Sequence, residues 1–381
     1  MTSSSTEKFL AVFTGGGSGG HVYPLIAVAD ALTARLGTLN APYEYYYMGP
    51  KDHYATLLAR KGMTMRPIAA GKIRRYLSFA NILDLPKFVI GFFQALWGLY
   101  VIMPDVVFSK GGTGAFAVVV AAWFYRIPVV IHESDAQPGL NNLLSARFSK
   151  AIFLSFSRAA KYFNPSITKV VGSPLRADLT VPRVARELAK ENLGFDPAQP
   201  LIFVMGGSQG STRLNEFVLG NFSGFLSRAQ VLHQTGQGNF AEVERLSRAA
   251  LLEAPTGNRY QALAYVDEMA MALAASDLVV SRSGSSVFEL AAFGLPAILI
   301  PLPESANGHQ LIDAQEFANT GAAVVIEEGN LLPGIFFSQL DRILKDDALR
   351  AKMSEAAKAF FIPGAADAIA QAIVEIVAAA G

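Results

Sequence analysis

The chain of 381 residues contains no cysteine. Disulfide bonds, cysteine-ligated metal ions and thiol nucleophiles are therefore excluded. Long hydrophobic runs are also missing, although 51% of the residues are hydrophobic. No apolar run reaches the ~20 uncharged residues that a membrane-spanning helix needs. The apolar run from Phe9 to Phe13 is too short for a signal peptide, and we expect a protein that stays in the cytoplasm.

Charge is sparse, at 17% of residues, and it is unevenly distributed around a net charge of +1. Residues 1–175 carry 17 Lys and Arg against 8 Asp and Glu, whereas residues 176–381 carry 15 against 23. A basic, apolar half would attract an anionic membrane surface or a phosphorylated substrate. No nucleic acid is expected as a partner, because the sequence has no basic helix or interleaved aromatic motif. The length favours two domains of roughly 150 to 200 residues each.

One stretch in the second half has the pattern of strand, turn, helix and strand. Leu278–Val280 predicts a strand, 281–286 a polar turn, and Val287–Phe293 an apolar helix that Gly294 ends. A second strand is predicted over Ala297–Ile300. Such units build parallel α/β folds, whose ligands bind where strands end and helices begin.

Four positions in this unit are polar beyond what folding requires, namely Arg282, Ser286, Glu289 and Gln310. Ser286 and Glu289 have the spacing of a capping box, in which each side chain satisfies a backbone donor at the helix start. Alternatively, a carboxylate at a helix N-terminus accepts hydrogen bonds from the two vicinal hydroxyls of a ribose. The unit by itself leaves both interpretations open.

Three predicted strands run into glycine-rich turns, at Thr14–His21, Ser109–Gly114 and Gly206–Gly210. Glycines allow backbone N–H groups to converge, and a following helix adds its positive end, so these turns suit a phosphate or a diphosphate. After the first turn, Leu25–Leu36 has helical spacing, and a tight strand-to-helix turn is the alternative there. His21 at its mouth is either a group that takes a proton near neutral pH or a structural cap.

The motifs, taken in order along the chain, resemble those of the MurG-type glycosyltransferases. They are Gly16–His21, Gly111-Gly112, His132–Asp135 with Pro138–Leu140 and Asn142, Gly172–Arg176, Gly206–Gly210, His233–Gly236, and Arg282-Ser283-Gly284 with Glu289–Ala292, Gly294–Ala297 and His309-Gln310. The resemblance implies a GT-B fold, with two Rossmann-like α/β domains whose parallel sheets face a central cleft. Residues 1–175 plus 364–381 would form the acceptor-binding and membrane-associated domain, and 176–363 the donor-binding domain.

The implied reaction is an inverting transfer of GlcNAc from UDP-GlcNAc to the 4-hydroxyl of the N-acetylmuramyl sugar of lipid I, which gives lipid II for peptidoglycan. No cofactor or metal is expected, because the sequence has no Asp-x-Asp motif and the fold stabilises phosphates with helix dipoles and arginine. The enzyme would be peripheral, at the cytoplasmic face of the inner membrane. Its partners would be UDP-GlcNAc, lipid I and an anionic membrane surface.

The resemblance also implies roles for individual residues. His21 is a candidate general base, and Asp135 is the alternative. Asp135 stands where the family has an asparagine that contacts the donor sugar, and an aspartate accepts hydrogen bonds but donates none unless protonated. Donor contacts are expected from Ser18, Gly19, Gly20, Asp135, Arg176, Ser208, Val266, Ser285, Ser286, Glu289 and Gln310. The acceptor diphosphate is expected at Gly16, Gly17, Gly19, Gly20, Gly111 and Gly112.

A basic and aromatic segment between Met65 and Pro104 predicts a membrane patch. Its cations and aromatic residues are Lys72, Arg74, Arg75, Phe88, Phe92, Phe93 and Trp97. Either this helix dips into the headgroup region of a membrane, with its cations on anionic lipid, or it packs as an ordinary buried helix on the sheet. Trp123 and Phe124 are candidates for the same patch.

Three rival functions share much of this pattern. A different GT-B lipid glycosyltransferase, such as a glycosyldiacylglycerol synthase, would have a similar donor site. A UDP-GlcNAc 2-epimerase of the same architecture would need further acid and base carboxylates that the sequence does not place. A non-catalytic UDP-sugar binder is the third, because Asp135 departs from the family and the turn between Gly284 and Glu289 is one residue shorter than its pattern.

Overall fold

The chain folds into two compact units. The computed structural model describes residues 8–52, 54–71, 79–180, 184–207, 210–253, 259–303, 305 and 308–380. The first unit is Met1–Arg176 together with Ile362–Gly381, and the second is Ala177–Phe361. The first unit thus ends one residue later, and its returning segment begins two residues earlier, than the boundaries expected from the sequence.

The first unit has a parallel sheet with helices beside it. Its strands are β1 (Phe9–Gly16), β2 (Tyr43–Gly49), β3 (Met63–Pro67), β4 (Val106–Gly112), β5 (Val129–Glu133), β6 (Ala151–Leu154) and β7 (Thr168–Val170). Its helices up to the unit boundary are α1 (Gly19–Thr38), α2 (Ala55–Arg60), α3 (Phe79–Ile102), α4 (Ala115–Phe124) and α5 (Leu140–Ser145). In the described residues the seven strands lie in the order β3-β2-β1-β4-β5-β6-β7, and all pairs are parallel.

The second unit repeats this plan. Its strands are β8 (Leu201–Met205), β9 (Gln230–Gln234), β10 (Tyr260–Leu263), β11 (Leu278–Ser281), β12 (Ala297–Leu299) and β13 (Ala323–Val325), in the order β10-β9-β8-β11-β12-β13. Its helices are α6 (Arg186–Asn192), α7 (Thr212–Gly220), α8 (Phe222–Leu226), α9 (Phe240–Glu253), α10 (Met269–Ala275), α11 (Ser286–Phe293), α12 (His309–Ala318), α13 (Pro333–Lys345) and α14 (Asp347–Phe360).

Continuous apolar runs explain why these strands lie in the middle of each unit. Val106–Phe108 in β4 and Val129–Ile131 in β5 are fully buried, as expected for parallel strands that are covered on both faces. In each sheet the strand order reverses beside the first strand, between β1 and β4 and between β8 and β11. Ligands of such sheets bind outside the carboxyl ends of the strands at this point. The predicted class, two Rossmann-like parallel α/β domains, is confirmed.

The starts of three helices are defined by local structure. Helices α13 and α14 are separate, because the Asp346 side chain accepts a hydrogen bond from Leu349 N (2.9 Å) and starts a new helix. Glu268 occupies the N-cap position of α10 and makes no side-chain cap bond. The helix predicted over Leu25–Leu36 is confirmed, but α1 begins earlier, at Gly19, so its first turn lies inside the glycine-rich turn.

The chain returns to the first unit through α15 (Ala365–Ala378). Ile369, Ala370 and Ile373 on this helix are fully buried in one hydrophobic core with α1 and β1. Within the described residues, Asp347–Ala378 is the one stretch that is long and apolar enough for a membrane span, with a mean hydropathy of 1.6. The stretch consists of α14 and α15, which residues 361–364 separate, and one face of α15 is buried in the core.

We predict that α15 is required for the stability of the first unit. Ile369→Ala should lower the free energy of unfolding by about 2 to 5 kcal/mol, because it leaves a cavity in the core. The matched variant Ile362→Ala, at a residue that is 40% exposed, should cost well under half as much. Urea denaturation monitored by circular dichroism measures both. Equal losses in the two variants would show that α15 does not anchor this core.

Candidate functional site

The first glycine turn connects β1 to α1. Ser18 O accepts hydrogen bonds from the backbone N–H groups of His21 (3.1 Å) and Val22 (3.2 Å), which starts the helix. Gly19 and Gly20 are the first helical residues, where backbone N–H groups have no partner within the helix. The His21 ring is half-buried, and its Nδ1 shares a hydrogen bond of 2.9 Å with Ser18 Oγ. His21 is therefore held at the positive end of α1.

The second glycine turn lies directly against the first. A Cβ atom at position 112 would come within 2.6 Å of Gly16 O and 3.3 Å of His21 Cδ2, and the φ angle of Gly112 is +84°. Only glycine fits this approach. The Asn141 side chain on α5 donates a hydrogen bond to Gly112 O and holds the turn from the other side. The glycines expected at the acceptor diphosphate are thus brought together at the carboxyl ends of β1 and β4.

The residues after β5 form a tightly held turn. The buried carboxylate of Glu133 accepts hydrogen bonds from Asp135 N (2.9 Å), Gly139 N (3.0 Å) and Asn142 Nδ2 (3.0 Å). Asp135, the alternative base, is half-buried and accepts from Ser134 Oγ (3.3 Å). Glu133 therefore fixes the backbone that presents Asp135.

Burial dominates the electrostatics of this turn. It raises the pKa of Glu133 to about 7, and the charge of Asp135 adds to the rise while Lys110 opposes it. The neighbouring His132 is also buried, and its Nε2 lies 3.2 Å from Gly172 O. Burial, reinforced by the charge of Lys110, holds the pKa of His132 well below its usual range. His132 is therefore a neutral structural residue near pH 7.

Arg176 ends the first unit and lies against α1. The centre of its guanidinium group is 5.0 Å from the centroid of the Tyr23 ring, a cation–π contact. Tyr23 follows His21 by two residues, so Arg176 lies near the start of α1. Its contact with a donor diphosphate stays a prediction, as do the donor contacts of Ser18, Gly19 and Gly20.

The glycine turn of the second unit follows β8. A Cβ atom at position 210 would lie 2.0 Å from Thr235 O, and the φ angle of Gly210 is +77°, so this position also requires glycine. Gln234 Nε2 donates to Gly207 O (3.0 Å) and ties the turn to the end of β9. Ser208, expected at a phosphate of UDP, lies outside the described residues.

A buried polar network supports the same edge of this sheet. His233 shares hydrogen bonds with Tyr260 OH (2.8 Å) and Asn215 Oδ1 (3.0 Å), and Asn215 Nδ2 donates to Thr235 O (2.9 Å). Burial lowers the pKa of His233 to about 3, so the ring is neutral. The match of His233 to the family motif thus reflects a structural role.

The strand, turn, helix and strand unit forms as expected, but its polar residues have folding roles. Arg282 is buried, and its guanidinium group donates to Ile300 O (3.1 Å), to Ser211 Oγ (2.7 Å) and to the Glu328 carboxylate. Gln310 Oε1 accepts from Leu302 N (3.0 Å). These two side chains stabilise the fold, and they are not polar beyond what folding requires.

The predicted capping box is wrong in its register. Ser285, not Ser286, occupies the N-cap position of α11 and makes no side-chain cap bond. Ser286 Oγ instead donates to Arg282 O (3.0 Å). Glu289 lies half-buried in the first turn of α11, and Val266 is buried just before α10. Their contacts with a ribose and a uracil stay predictions.

The membrane segment has two different faces. Ala95, Leu99 and Ile102 of α3 are buried in the core, whereas an outer face that we call the α3–α4 surface is exposed. It consists of Ile90, Phe93 (63% exposed), Trp97 (69%), Tyr100, Trp123 and Phe124 (64%). Phe88 and Phe92, expected in the patch, are half-buried, because Phe88 stacks on Phe116 and Phe92 packs on the core. Lys72, Arg74 and Arg75 lie outside the described residues.

The sequence patterns did not indicate two residues of the first unit's edge. Lys110 is buried at the end of β4 and donates from Nζ to Ser134 Oγ (2.8 Å), and Asn141 holds the second glycine turn. A lysine inside an otherwise apolar strand was a usable signal, since lysine is rarely buried without partners. Asn141 gave no such signal, because its partner is a backbone carbonyl 29 residues away.

Comparison with known proteins identifies the class. The model of the glycosyltransferase family 28 N-terminal domain matches residues 11–154, and that of the family 28 C-terminal domain matches residues 201–369. The two matches cover both units that carry the glycine turns. The chain belongs to glycosyltransferase family 28.

Individual relatives define the branch of this family. The UDP-N-acetylglucosamine--N-acetylmuramyl-(pentapeptide) pyrophosphoryl-undecaprenol N-acetylglucosamine transferase of Shouchella clausii is 37% identical over 84% of this chain and 86% of its own. The transferase of that name from Legionella pneumophila (strain Lens) is 36% identical over 96% of each chain. Acinetobacter baumannii MurG has the same fold, with a TM-score of 0.72 at 24% identity over 97% of this chain and 100% of its own. The chain is therefore of the MurG type, and the expected GT-B fold is confirmed.

We predict that Glu133 makes stability depend on pH. Its pKa in the folded protein, about 7, is above the ordinary value of 4.5, so the folded state holds the proton more tightly than the unfolded state does. The stabilisation is present below about pH 4.5 and is lost as the pH rises through 7. The difference in unfolding free energy between wild type and Glu133→Gln, which cannot ionise, should fall by on the order of 2 kcal/mol from pH 5 to pH 8.

Urea titrations at the two pH values measure this difference. Glu187→Gln, at an exposed position of α6, is the matched control, and its unfolding free energy should change with pH as that of wild type does. A difference in unfolding free energy between wild type and Glu133→Gln that stays constant with pH would contradict the raised pKa of Glu133.

Proposed function

We propose that this protein transfers GlcNAc from UDP-GlcNAc to the 4-hydroxyl of the N-acetylmuramyl sugar of lipid I, with inversion, and so forms lipid II for peptidoglycan. The observation that carries the proposal is the close approach, beside His21, of the glycine turns that follow β1 and β4. A Cβ atom at Gly112 would lie only 2.6 Å from Gly16 O. Backbone amides gathered next to a titratable ring suit a diphosphate-linked sugar. The names of the curated relatives support the same reaction.

His21 is the general base of this proposal. The acceptor oxygen forms a bond to C1 of GlcNAc while the bond from C1 to the phosphate oxygen of UDP breaks, and the hydroxyl proton passes to the imidazole. The hydrogen bond between Ser18 Oγ and His21 Nδ1 (2.9 Å) orients the ring. Asp135 accepts a hydrogen bond from a sugar hydroxyl, and it is the alternative proton acceptor.

The second unit supplies the groups for the nucleotide. Glu289 at the start of α11 pairs with the ribose hydroxyls, Val266 lies on the uracil, and the turn from Gly206 to Gly210, with Ser208, binds the phosphates. Ser285, Ser286 and Gln310 flank them. We propose that no metal cofactor is needed, because backbone amides and helix ends stabilise the charge of the leaving UDP.

The α3–α4 surface docks the protein on the cytoplasmic face of the inner membrane as a peripheral protein. Ile90, Phe93, Trp97 and Tyr100 repeat at helical spacing on one face of α3. Arg126, two residues after the end of α4, is exposed near Trp123 and Phe124. Arg147 adjoins Phe148, whose ring centroid is 5.4 Å from that of Trp123. Aromatic residues flanked by cations suit the headgroups of an anionic membrane.

We predict that the purified protein converts lipid I and UDP-GlcNAc to lipid II in the presence of EDTA. Radiolabelled GlcNAc followed by chromatography of the lipid products measures the conversion. His21→Ala should lower kcat by about 10²-fold or more, because a general base contributes that much. If Asp135→Ala loses activity while His21→Ala retains it, the base is Asp135.

The same assay also tests the competing functions. Diacylglycerol replaces lipid I in one sample, and the acceptor is omitted from another. Labelled glycolipid from diacylglycerol without lipid II would refute the proposed acceptor. Formation of UDP-ManNAc without any acceptor would instead identify an epimerase.

We predict that Phe93→Ser combined with Trp97→Ser lowers binding to phosphatidylglycerol vesicles at least tenfold. Each side chain loses about 1.5 to 3 kcal/mol of apolar burial on changing to serine. Leu252→Ser, at an exposed position of the second unit, is the control and should bind as wild type does. Vesicle co-sedimentation measures all three proteins. Undiminished binding of the double variant would show that the α3–α4 surface faces water.

A further inference from the structure

Lys110 is the buried charge around which the carboxyl edge of the first sheet is arranged. Its side chain is 1% exposed, at the end of β4 and directly before Gly111. Its ammonium group donates to Ser134 Oγ (2.8 Å), and Ser134 Oγ lies 3.3 Å from Asp135 Oδ1. The serine hydroxyl thus links a cation on β4 to the carboxylate that follows β5.

We propose that Lys110 is a positioning residue for the transfer reaction, which orients the Asp135 carboxylate through Ser134. This inference rests on the proposed function, in which Asp135 contacts a sugar hydroxyl. Glu133 fixes the backbone of the turn by three hydrogen bonds, but none of them reaches the side chain of Asp135. The link through Ser134 supplies that constraint.

Charge supports the same role. Glu133 and Asp135 are two carboxylates within one short turn, and their repulsion would push the Asp135 side chain away from Glu133. Lys110 is the neighbouring cation that opposes the rise in the pKa of Glu133. Removing the ammonium group would also take away the donor that holds Ser134 Oγ. The expected result is a turn whose backbone persists while the Asp135 carboxylate loses its fixed direction.

A second buried lysine provides a matched control. Lys190 on α6 is 4% exposed and pairs with Asp277 at 2.7 Å. Asp277 precedes β11, so this pair lies at the amino end of the strand, away from the edge where ligands of parallel sheets bind. Lys190→Met should therefore lower the melting temperature and leave kcat and KM unchanged.

The test is a double-mutant cycle on Lys110→Met and Asp135→Ala with kcat and KM for both substrates. Lys110→Met should lower kcat by about 10- to 100-fold, since small misplacements of a reacting group cost that much, with KM for UDP-GlcNAc within about twofold of wild type. The double variant should be no slower than Asp135→Ala alone, because the two residues act as one unit. Additive losses, or a normal kcat in Lys110→Met, would overturn the inference.

Two further measurements keep the result interpretable. Ser134→Ala removes the link and keeps the charge, so it should show the same loss of kcat even where Lys110→Met fails to fold; a normal kcat there would overturn the inference. Crystal structures of Lys110→Met and Ser134→Ala do not depend on turnover. If wild type transfers no GlcNAc, the proposed function fails, and these structures alone decide: an Asp135 side chain in a changed rotamer over an unchanged backbone supports the positioning role, and an unchanged rotamer overturns it.

Discussion

The contact between two backbone turns is the constraint on which the first unit depends. Gly112 lies so close to Gly16 O that a Cβ would approach it to 2.6 Å. No other residue type fits there, and the contact requires β1 and β4 to be adjacent, where the strand order reverses. The contact also determines where three functional side chains lie. His21 is beside the first turn, Asn141 donates a hydrogen bond to the second turn, and Lys110 directly precedes the second turn. In the second unit a similarly close approach joins Gly210 to Thr235 O, in the turns that follow the adjacent strands β8 and β9.

The parts of the molecule that were predictable from sequence are those set by neighbouring residues. Apolar runs such as Leu278–Val280 formed strands within one residue of the expected bounds, and Gly294 ended its helix in the left-handed conformation (φ +61°). The partners of long polar side chains were not predictable in this way. Arg282 bonds to Ser211 and Glu328, 71 and 46 residues away, so the sequence alone predicts it to be polar beyond what folding requires. The partner of Lys110, Ser134, is also distant in the chain, although a lysine that follows an apolar run does indicate a buried and paired cation.

The aromatic segment forms one helix with a buried face and an exposed face. The face of α3 with Leu99 packs in the core, and the face with Phe93 and Trp97 is exposed. A helix needs only part of its circumference to pack on a sheet, so the remaining residues are under no packing constraint. Sequence periodicity could not separate the two faces, because both are hydrophobic.

The position of α15 in the chain determines when the first unit can complete its folding during translation. Its residues Ile369 and Ile373 complete the core built by α1 and β1, yet they follow the whole second unit along the chain. Domains generally fold as units while synthesis proceeds from the N-terminus. The first unit therefore begins synthesis before the second unit but completes its core after it. The face of α1 that packs against α15 stays exposed until the second unit has been translated.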